Sequence, residues 1–337
     1  MPFLQHLHAV AEHHHLQAEE ARAAMRAILA GEVSPVQIAS FLTALRMKGE
    51  TVEELVGFAR AMREVAVRVD VGLADEALID TCGTGGDGQG TFNISTIAAF
   101  VVAGAGVHVA KHGNRSISSQ GGSADLLESL GIAVVVPPEK VAQAIREIGI
   151  GFLFAPAIHT ATKHAHPVRL ELKMRTVFNL LGPLTNPAGA TAQLVGAPSE
   201  PAAELLAGAL AQVGLARGFV VHGSDGLDEI TTTGPTTAFE IRSGLVERRI
   251  LTPEEFGVAR AQASDLKGAG KEGNTAIARA VLGGAPGAQR DIVLVNAAAA
   301  LVLAGKSADF QDAMKIAKES IDSGAAWKKV EELARFH

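Results

Sequence analysis

The chain of 337 residues holds one cysteine, Cys82, no tyrosine, and only 4% aromatic residues. A single cysteine excludes an internal disulfide and suits a reducing compartment. The absence of tyrosine carries no functional meaning. Positive charge is not in excess, since 30 Lys and Arg stand against 36 Asp and Glu for a net charge of −6. That balance argues against nucleic acid or an anionic membrane as the main partner. The N-terminus lacks the apolar core of a signal peptide, and the longest strongly apolar run, Ile292 to Ala304, is too short to span a bilayer. A soluble, cytoplasmic protein is expected, long enough for two domains.

Glycine is plentiful, and one stretch concentrates it: Gly83, Gly85, Gly86, Gly88 and Gly90 fall within eight positions. Before them, Ala77-Leu78-Ile79 reads as a short buried strand. After them, Ile94 to Val102 reads as an apolar helix with Ser95 and Thr96 in its first turn. Glycine permits positive φ and lets a ligand approach the backbone closely. Successive free N–H groups in such a loop form an anion nest, and the following helix points its positive end the same way. Phosphate is the natural guest.

The spacing Gly83-x-Gly85-x-x-Gly88 also matches the dinucleotide fingerprint, which needs an immediate helix and an acid about 20 residues on. Here the helix waits until about Asn93, and the next strand runs into Lys111 and His112. A Walker A loop is absent, because Gly305-Lys306-Ser307 has Ala300 where the leading glycine belongs.

Two further polar clusters follow apolar strands. Lys111-His-Gly-Asn-Arg-Ser-Ile-Ser-Ser-Gln-Gly-Gly-Ser123 joins two cations, an imidazole, an amide and several hydroxyls, a set suited to a phosphorylated sugar. At the C-terminal end of a strand, it lies where open α/β sheets bind ligands. Val221-His-Gly-Ser-Asp-Gly-Leu-Asp228-Glu229 places adjacent carboxylates after a glycine turn, a pattern that can hold Mg²⁺ or merely cap a loop. His13-His14-His15 has no acid or cysteine cluster beside it and reads as a solvated helix end.

Residues 1–68 read as helices. Ala21, Met25, Ile28 and Leu29 share a face, Ser34-Pro35 is a start signal, and Thr51-x-x-Glu54 is a capping box. From residue 72 short strands alternate with helices: Leu78–Cys82, Val107–Lys111, Ala133–Val136, Gly151–Phe154, Ala192–Gly196, Phe219–His222, and a hairpin around Ser243-Gly244. The pattern predicts an α/β fold: a small N-terminal α-helical domain over 1–70 and a large α/β domain over 71–337, with a mostly parallel central sheet. A helical stretch over 168–182, ending at Leu181-Gly-Pro-Leu184, is expected to pack back on the N-terminal helices. The cleft between the two units is the expected ligand site.

Gly83-Thr-Gly-Gly-Asp87, Asn93-Ile-Ser-Thr96, Lys111-His-Gly-Asn-Arg115 and Asp228-Glu229 resemble, in order, the motif series of the anthranilate phosphoribosyltransferases. Phe152-Leu-Phe-Ala-Pro156, Arg175-Thr-Val-Phe-Asn-Leu-Leu-Gly-Pro-Leu184 and Arg290-Asp-Ile-Val-Leu-Val-Asn296 extend the resemblance over nearly the whole chain. Thr162 and Lys173 depart from it, standing where Met and Gly are expected.

The resemblance implies a fold like that of pyrimidine nucleoside phosphorylases, a homodimer joined through its helices, and transfer of a phosphoribosyl group to anthranilate in tryptophan synthesis. It implies that Gly83, Gly86, Asp87 and Thr91 hold phosphoribosyl pyrophosphate, with Asn93, Ile94, Ser95 and Thr96 at the helix start. Lys111, His112, Gly113, Asn114, Arg115, Ser116, Ile117, Ser118, Ser119 and Ser123 would embrace the rest of that substrate. Ser95, Asp228 and Glu229 would ligate two Mg²⁺ ions. Gly83, Asn114 and Arg169 would contact anthranilate, with His112 nearby. No general base is assigned. A nucleoside phosphorylase shares the fold, but the Asp228-Glu229 pair speaks against it. A nucleic-acid-binding relative would want a basic groove.

Overall fold

The helical start of the chain is written in its caps. In the computed structural model, which describes residues 3–73, 76–115 and 121–336, four helices come first: α1 (Phe3–Ala11), α2 (Ala18–Leu29), α3 (Pro35–Lys48) and α4 (Val52–Val65). The Ser34 and Thr51 hydroxyls accept from the Gln37 and Glu54 N–H groups. Pro35 opens α3, where a missing N–H costs nothing. Glu54 is fully buried, and its carboxylate also accepts from the Leu16 N–H and the Lys48 ammonium, both at 2.9 Å.

Beyond residue 76 the chain builds one seven-stranded sheet. Its strands are β1 (Leu78–Gly83), β2 (His108–Gly113), β3 (Ile150–Phe154), β4 (Ala192–Gly196), β5 (Arg217–Gly223), β6 (Thr236–Arg242) and β7 (Leu245–Leu251), in the spatial order β3-β2-β1-β4-β5-β6-β7. β1 to β5 run parallel, and β6 and β7 add an antiparallel hairpin that turns at Ser243-Gly244. β1 lies between β2 and β4, so the chain leaves it to one side and later returns on the other. A crevice opens above such a switch point, at the C-terminal ends of the strands.

Side chains alternate across the sheet, and each set meets its own layer. Ile79, Val109, Leu194, Phe219 and Val221 face α5 (Ile94–Gly104) and, later in the chain, α13 (Ala288–Leu303) and α14 (Phe310–Asp322). Cys82, Val195, Val220, Phe239 and Ile241 face the opposite way and share a core with α2, α3, α4 and α11 (Glu200–Gln212). α6 (Ser123–Ser129) and α7 (Pro138–Ile148) lie between β2 and β3 in sequence, and α8 (Ala155–Ile158) follows β3 directly. The segment α9 (His166–Leu172) and α10 (Phe178–Leu181) packs into the helical layer through Val168, Val177, Phe178, Leu181 and Leu184. The Arg63 guanidinium of α4 donates to the Leu184 carbonyl at 2.6 Å and ties that segment down. α12 (Gly270–Leu282) and α15 (Ala325–Ala334) complete the chain.

Two sequence expectations need correction. Ala133–Val136 forms no strand: Ile132 and Val134 are buried while Val135 is 69% exposed, so the run seals the core as a bend between α6 and α7. No strand of the sheet pairs with the run, and Pro137 and Pro138 follow at once and open α7. The 168–182 stretch is not one helix, because Lys173 takes a left-handed conformation (φ 48°) and stops α9. Glycine, expected there, would adopt it without strain.

Candidate active site

The glycine loop follows β1 directly. Gly85, Gly86, Gly88 and Gly90 all have φ between 64° and 75°. Asp87 accepts the Gln89 N–H at 3.1 Å through Oδ1, while its Oδ2 is buried without a hydrogen-bond partner. The loop has few side chains of its own and is held from outside. Arg175 donates one Nη1 to the carbonyls of Gly85 and Gly86, at 2.8 Å each. Lys267 donates to the Gln89 carbonyl at 2.8 Å, and the Gly268 N–H to the Gly90 carbonyl at 2.9 Å.

The helix α5 begins beneath the loop. Thr91, Asn93 and Ser95 are half-buried, and Ile94 and Thr96 are core residues. Asn93 donates to the Gly121 carbonyl at 3.1 Å and receives the Asn274 amide at 3.4 Å. Lys111, 4% exposed, reaches behind α5, where its ammonium meets the Thr81 carbonyl and, at 3.5 Å, the Ser95 hydroxyl.

The acidic turn after β5 closes the site from the other side. Gly196 packs so tightly against the Asp228 carbonyl that a Cβ would collide with it. The Asp228 carboxylate consequently stands over the end of β1, with Oδ2 3.1 Å from where a Cβ on Gly83 would sit. Glu229 accepts the Ser95 N–H at 3.1 Å. Both acids are half-buried. Burial, then the neighbouring Asp87 carboxylate, pushes Asp228 up to about 7, and burial, then Asp228, pushes Glu229 up to about 8.

The second polar cluster is partly within reach. The Asn114 N–H donates to the Ser123 hydroxyl, which donates back to the Asn114 carbonyl, beside Gly113. Arg115 is engaged by Asp125 at 3.1 Å and Glu128 at 2.5 Å. Ser116, Ile117, Ser118 and Ser119 lie outside the described residues. His112 Nδ1 is 3.2 Å from the Gly182 carbonyl, which assigns the proton to Nδ1 and leaves Nε2 as a buried acceptor without a partner. Burial, then the neighbouring His159, pulls its pKa down to about 3, so the ring is neutral in ordinary buffers. Arg169 does not pair with Glu171; its guanidinium carbon sits 5.2 Å from the Phe178 ring centroid.

The chain as a whole is similar to proteins of known activity. Residues 75–327 match the family model described as "Glycosyl transferase family, a/b domain", and residues 4–66 match its "helical bundle domain". An anthranilate phosphoribosyltransferase of Solibacter usitatus is 68% identical over all of this chain and 99% of its own length. One from Moorella thermoacetica is 54% identical over 96% and 94%. The chain belongs to the anthranilate phosphoribosyltransferase family. The crystal structure of the Thermus thermophilus member superposes with a TM-score of 0.92 at 47% identity, covering 98% of both chains. The Saccharomyces cerevisiae enzyme, solved in complex with PRPP and Mg, gives 0.90 at 30% identity over 98% and 96%. As a family member, the chain is a pentosyl-transferring glycosyltransferase of tryptophan synthesis.

Sequence reasoning missed several groups that shape this family site. Arg175 sits in a quoted motif, but its carbonyl partners lie 89 and 90 residues away. Asn296 clamps both the N–H and the carbonyl of Ile230, next to the acidic pair, at 3.0 and 2.9 Å. Asp80 accepts from the His112 N–H and the Asn186 amide beneath β1.

The donor set suits a hard divalent cation. Asp87 Oδ2 has no donor, and two raised carboxyls beside it are ready to exchange a proton for a metal. Among the described residues no three His, Cys, Asp or Glu side chains form a ready cage. Mg²⁺ needs none, since it takes one or two carboxylates and fills its shell with water and phosphate oxygens.

Proposed function

We propose that the chain transfers the phosphoribosyl group of phosphoribosyl pyrophosphate to the amine of anthranilate, releasing pyrophosphate and forming N-(5-phosphoribosyl)anthranilate. The observation that carries this reading is the meeting of an acidic turn and a glycine loop at the switch point. There, Glu229 accepts from the first turn of α5, and Asp228 overhangs Gly83.

In this reading Gly83, Gly86, Asp87 and Thr91 take the pyrophosphate side, and Asn93 to Thr96 offer helix N–H groups and hydroxyls to phosphate. Lys111 to Ser119 and Ser123 surround the remainder of the substrate. Arg115 joins that set only by exchanging the carboxylates of Asp125 and Glu128 for a phosphate. Ser95, Asp228 and Glu229 would hold Mg²⁺, with two ions per subunit. Bound there, Mg²⁺ would stabilise the negative charge that grows on pyrophosphate as it leaves.

The chain's own groups do the remainder. Loop N–H groups are fixed before the reaction and meet the leaving oxygens without reorganisation. Arg169 supplies a planar guanidinium for the anthranilate carboxylate, with Asn114 and Gly83 beside it. His112, neutral, presents Nε2 as an acceptor rather than as a charge. The C1–O bond of ribose breaks as the C1–N bond forms, and the amine then sheds a proton. Its lone pair is free beforehand, so no general base is required.

Exposed Val36 and Met47 lie with Ser40 and Thr43 along one face of α3, which supports a homodimer through the helices. A boundary near residue 70, with 168–185 joined to the helical unit, and a cytoplasmic location complete the proposal. Pyrophosphate release with and without anthranilate tests the function. Release that requires anthranilate supports it; release indifferent to anthranilate, no release at all, or phosphorolysis of a nucleoside to its free base in place of release overturns it.

A further inference from the structure

We infer that Arg175 is a positioning residue that sets the direction of the N–H groups in the glycine loop and thereby the affinity for the pyrophosphate end of the substrate. The inference rests on the reading that this loop receives pyrophosphate.

The argument begins with the peptide plane. In a trans peptide the carbonyl of one residue and the N–H of the next point in opposite directions. Arg175 Nη1 draws the carbonyls of Gly85 and Gly86 toward itself, at 2.8 Å each. The N–H groups of Gly86 and Asp87 must then point away from the guanidinium. One cation fixes two adjacent donors of the nest. A loop of glycines cannot do this alone, because Gly85 and Gly86, with φ of 64° and 75°, have many other conformations open to them.

The backbone that carries Arg175 is itself fixed. Arg46 of α3 donates to the Arg175 carbonyl at 3.1 Å, and the Thr176 N–H donates to Asn179 at 3.0 Å. Arg175 Nη2 is buried without a hydrogen-bond partner; burial works against its charge, which the Asp228 and Asp87 carboxylates favour and Arg46 opposes. The loop of the α/β layer is therefore held by a residue of the helical layer. Arg169 precedes Arg175 in the same segment, beyond the left-handed turn at Lys173.

Arg175→Ala and Arg175→Lys, each checked for folding by circular dichroism and Tm, test the inference. For Arg175→Ala the KM for phosphoribosyl pyrophosphate should rise about tenfold or more, the worth of one hydrogen bond to a charged group. kcat and the KM for anthranilate should change little. Arg175→Lys keeps the charge but not the fork and should recover part of the loss. In the substrate-free protein, NMR order parameters of the Gly86 and Asp87 N–H vectors should drop in Arg175→Ala, while β1 and α5 stay rigid. Unchanged order parameters in the loop overturn the inference even if turnover falls. So does a loss confined to kcat, which would place Arg175 at the reacting atoms. Order parameters need no substrate, so this readout stands even where the wild-type protein fails the pyrophosphate assay.

Discussion

Two loops face each other across the end of β1, and they are built on opposite plans. The turn after β5 braces itself: Asp225 accepts from the Thr231 and Thr233 hydroxyls at 2.5 and 2.6 Å, and from the Leu227 N–H at 3.2 Å. Asn296 then grips Ile230 on both sides. The glycine loop has almost nothing of this kind and depends on Arg175 and Lys267 reaching in from elsewhere. Carboxylates that share a cation must be placed beforehand, since mutual repulsion would otherwise part them. Backbone donors that wrap a phosphate need only be turned the right way. Rigid acid and directed amide are two answers to the same ligand.

The contrast can be broken from the acidic side first. Asp228→Asn with Glu229→Gln should cut turnover by roughly 10³-fold or more, the scale of losing transition-state charge stabilisation. Circular dichroism should stay native. Full turnover of that variant in excess EDTA would remove the acids from the reaction.

Bracing is next. Asn296→Ala strands the Ile230 N–H and carbonyl inside the protein, and urea unfolding should register a loss of about 2–4 kcal/mol. A loss no greater than for an exposed Asn would mean that the turn stands without its clamp.

Gly85→Val probes the other plan. A Cβ there meets no protein atom within 4 Å, yet φ is 64°. Stability should fall by only about 1–2 kcal/mol from backbone strain. The KM for phosphoribosyl pyrophosphate should climb, and that for anthranilate should hold. Movement of the anthranilate constant alone would assign the loop to the other substrate.

The smallest effect is a pH slope. Burial, then the neighbouring carboxylates, holds Asp228 and Glu229 well above the ordinary carboxylate range in the folded chain, up to about 7 and about 8. Folded protein thus keeps protons that the unfolded chain has shed, and stability falls as pH rises through those values. Burial lowers His112 and His159, which adds stability as pH rises toward 6.5 but is complete beyond it. Between pH 7 and 8.5, metal-free wild-type Tm should fall more steeply than that of the Asp228→Asn, Glu229→Gln variant. Equal slopes would show that the pair does not titrate there.

Much of this was legible in the sequence, and the failures have physical causes. Strand positions followed from short apolar runs ending in glycine, and the hairpin from Ser243-Gly244. Asp228 and Glu229 were visible because adjacent acids after a glycine turn are chemically conspicuous. Arg175 was not, since it acts on backbone carbonyls that no residue type advertises. Asn296 lies inside the longest apolar run, where helical periodicity reads only core. Val134-Val135-Val136 has strand propensity in full, but whether a sheet has room for another strand is a tertiary fact.

Cys82 lies in β1 at 6% exposure, and burial, then Asp80 beside it, raises its thiol well above the ordinary range. The thiolate is the form that attacks maleimides and disulfide reagents, so the folded chain offers them almost no nucleophile. A thiol titration without denaturant should read near zero and rise to one per chain in guanidinium. The protein is therefore a silent background for labelling. A cysteine introduced on the glycine loop would carry a fluorophore alone, and its signal would report that loop without any need to replace Cys82.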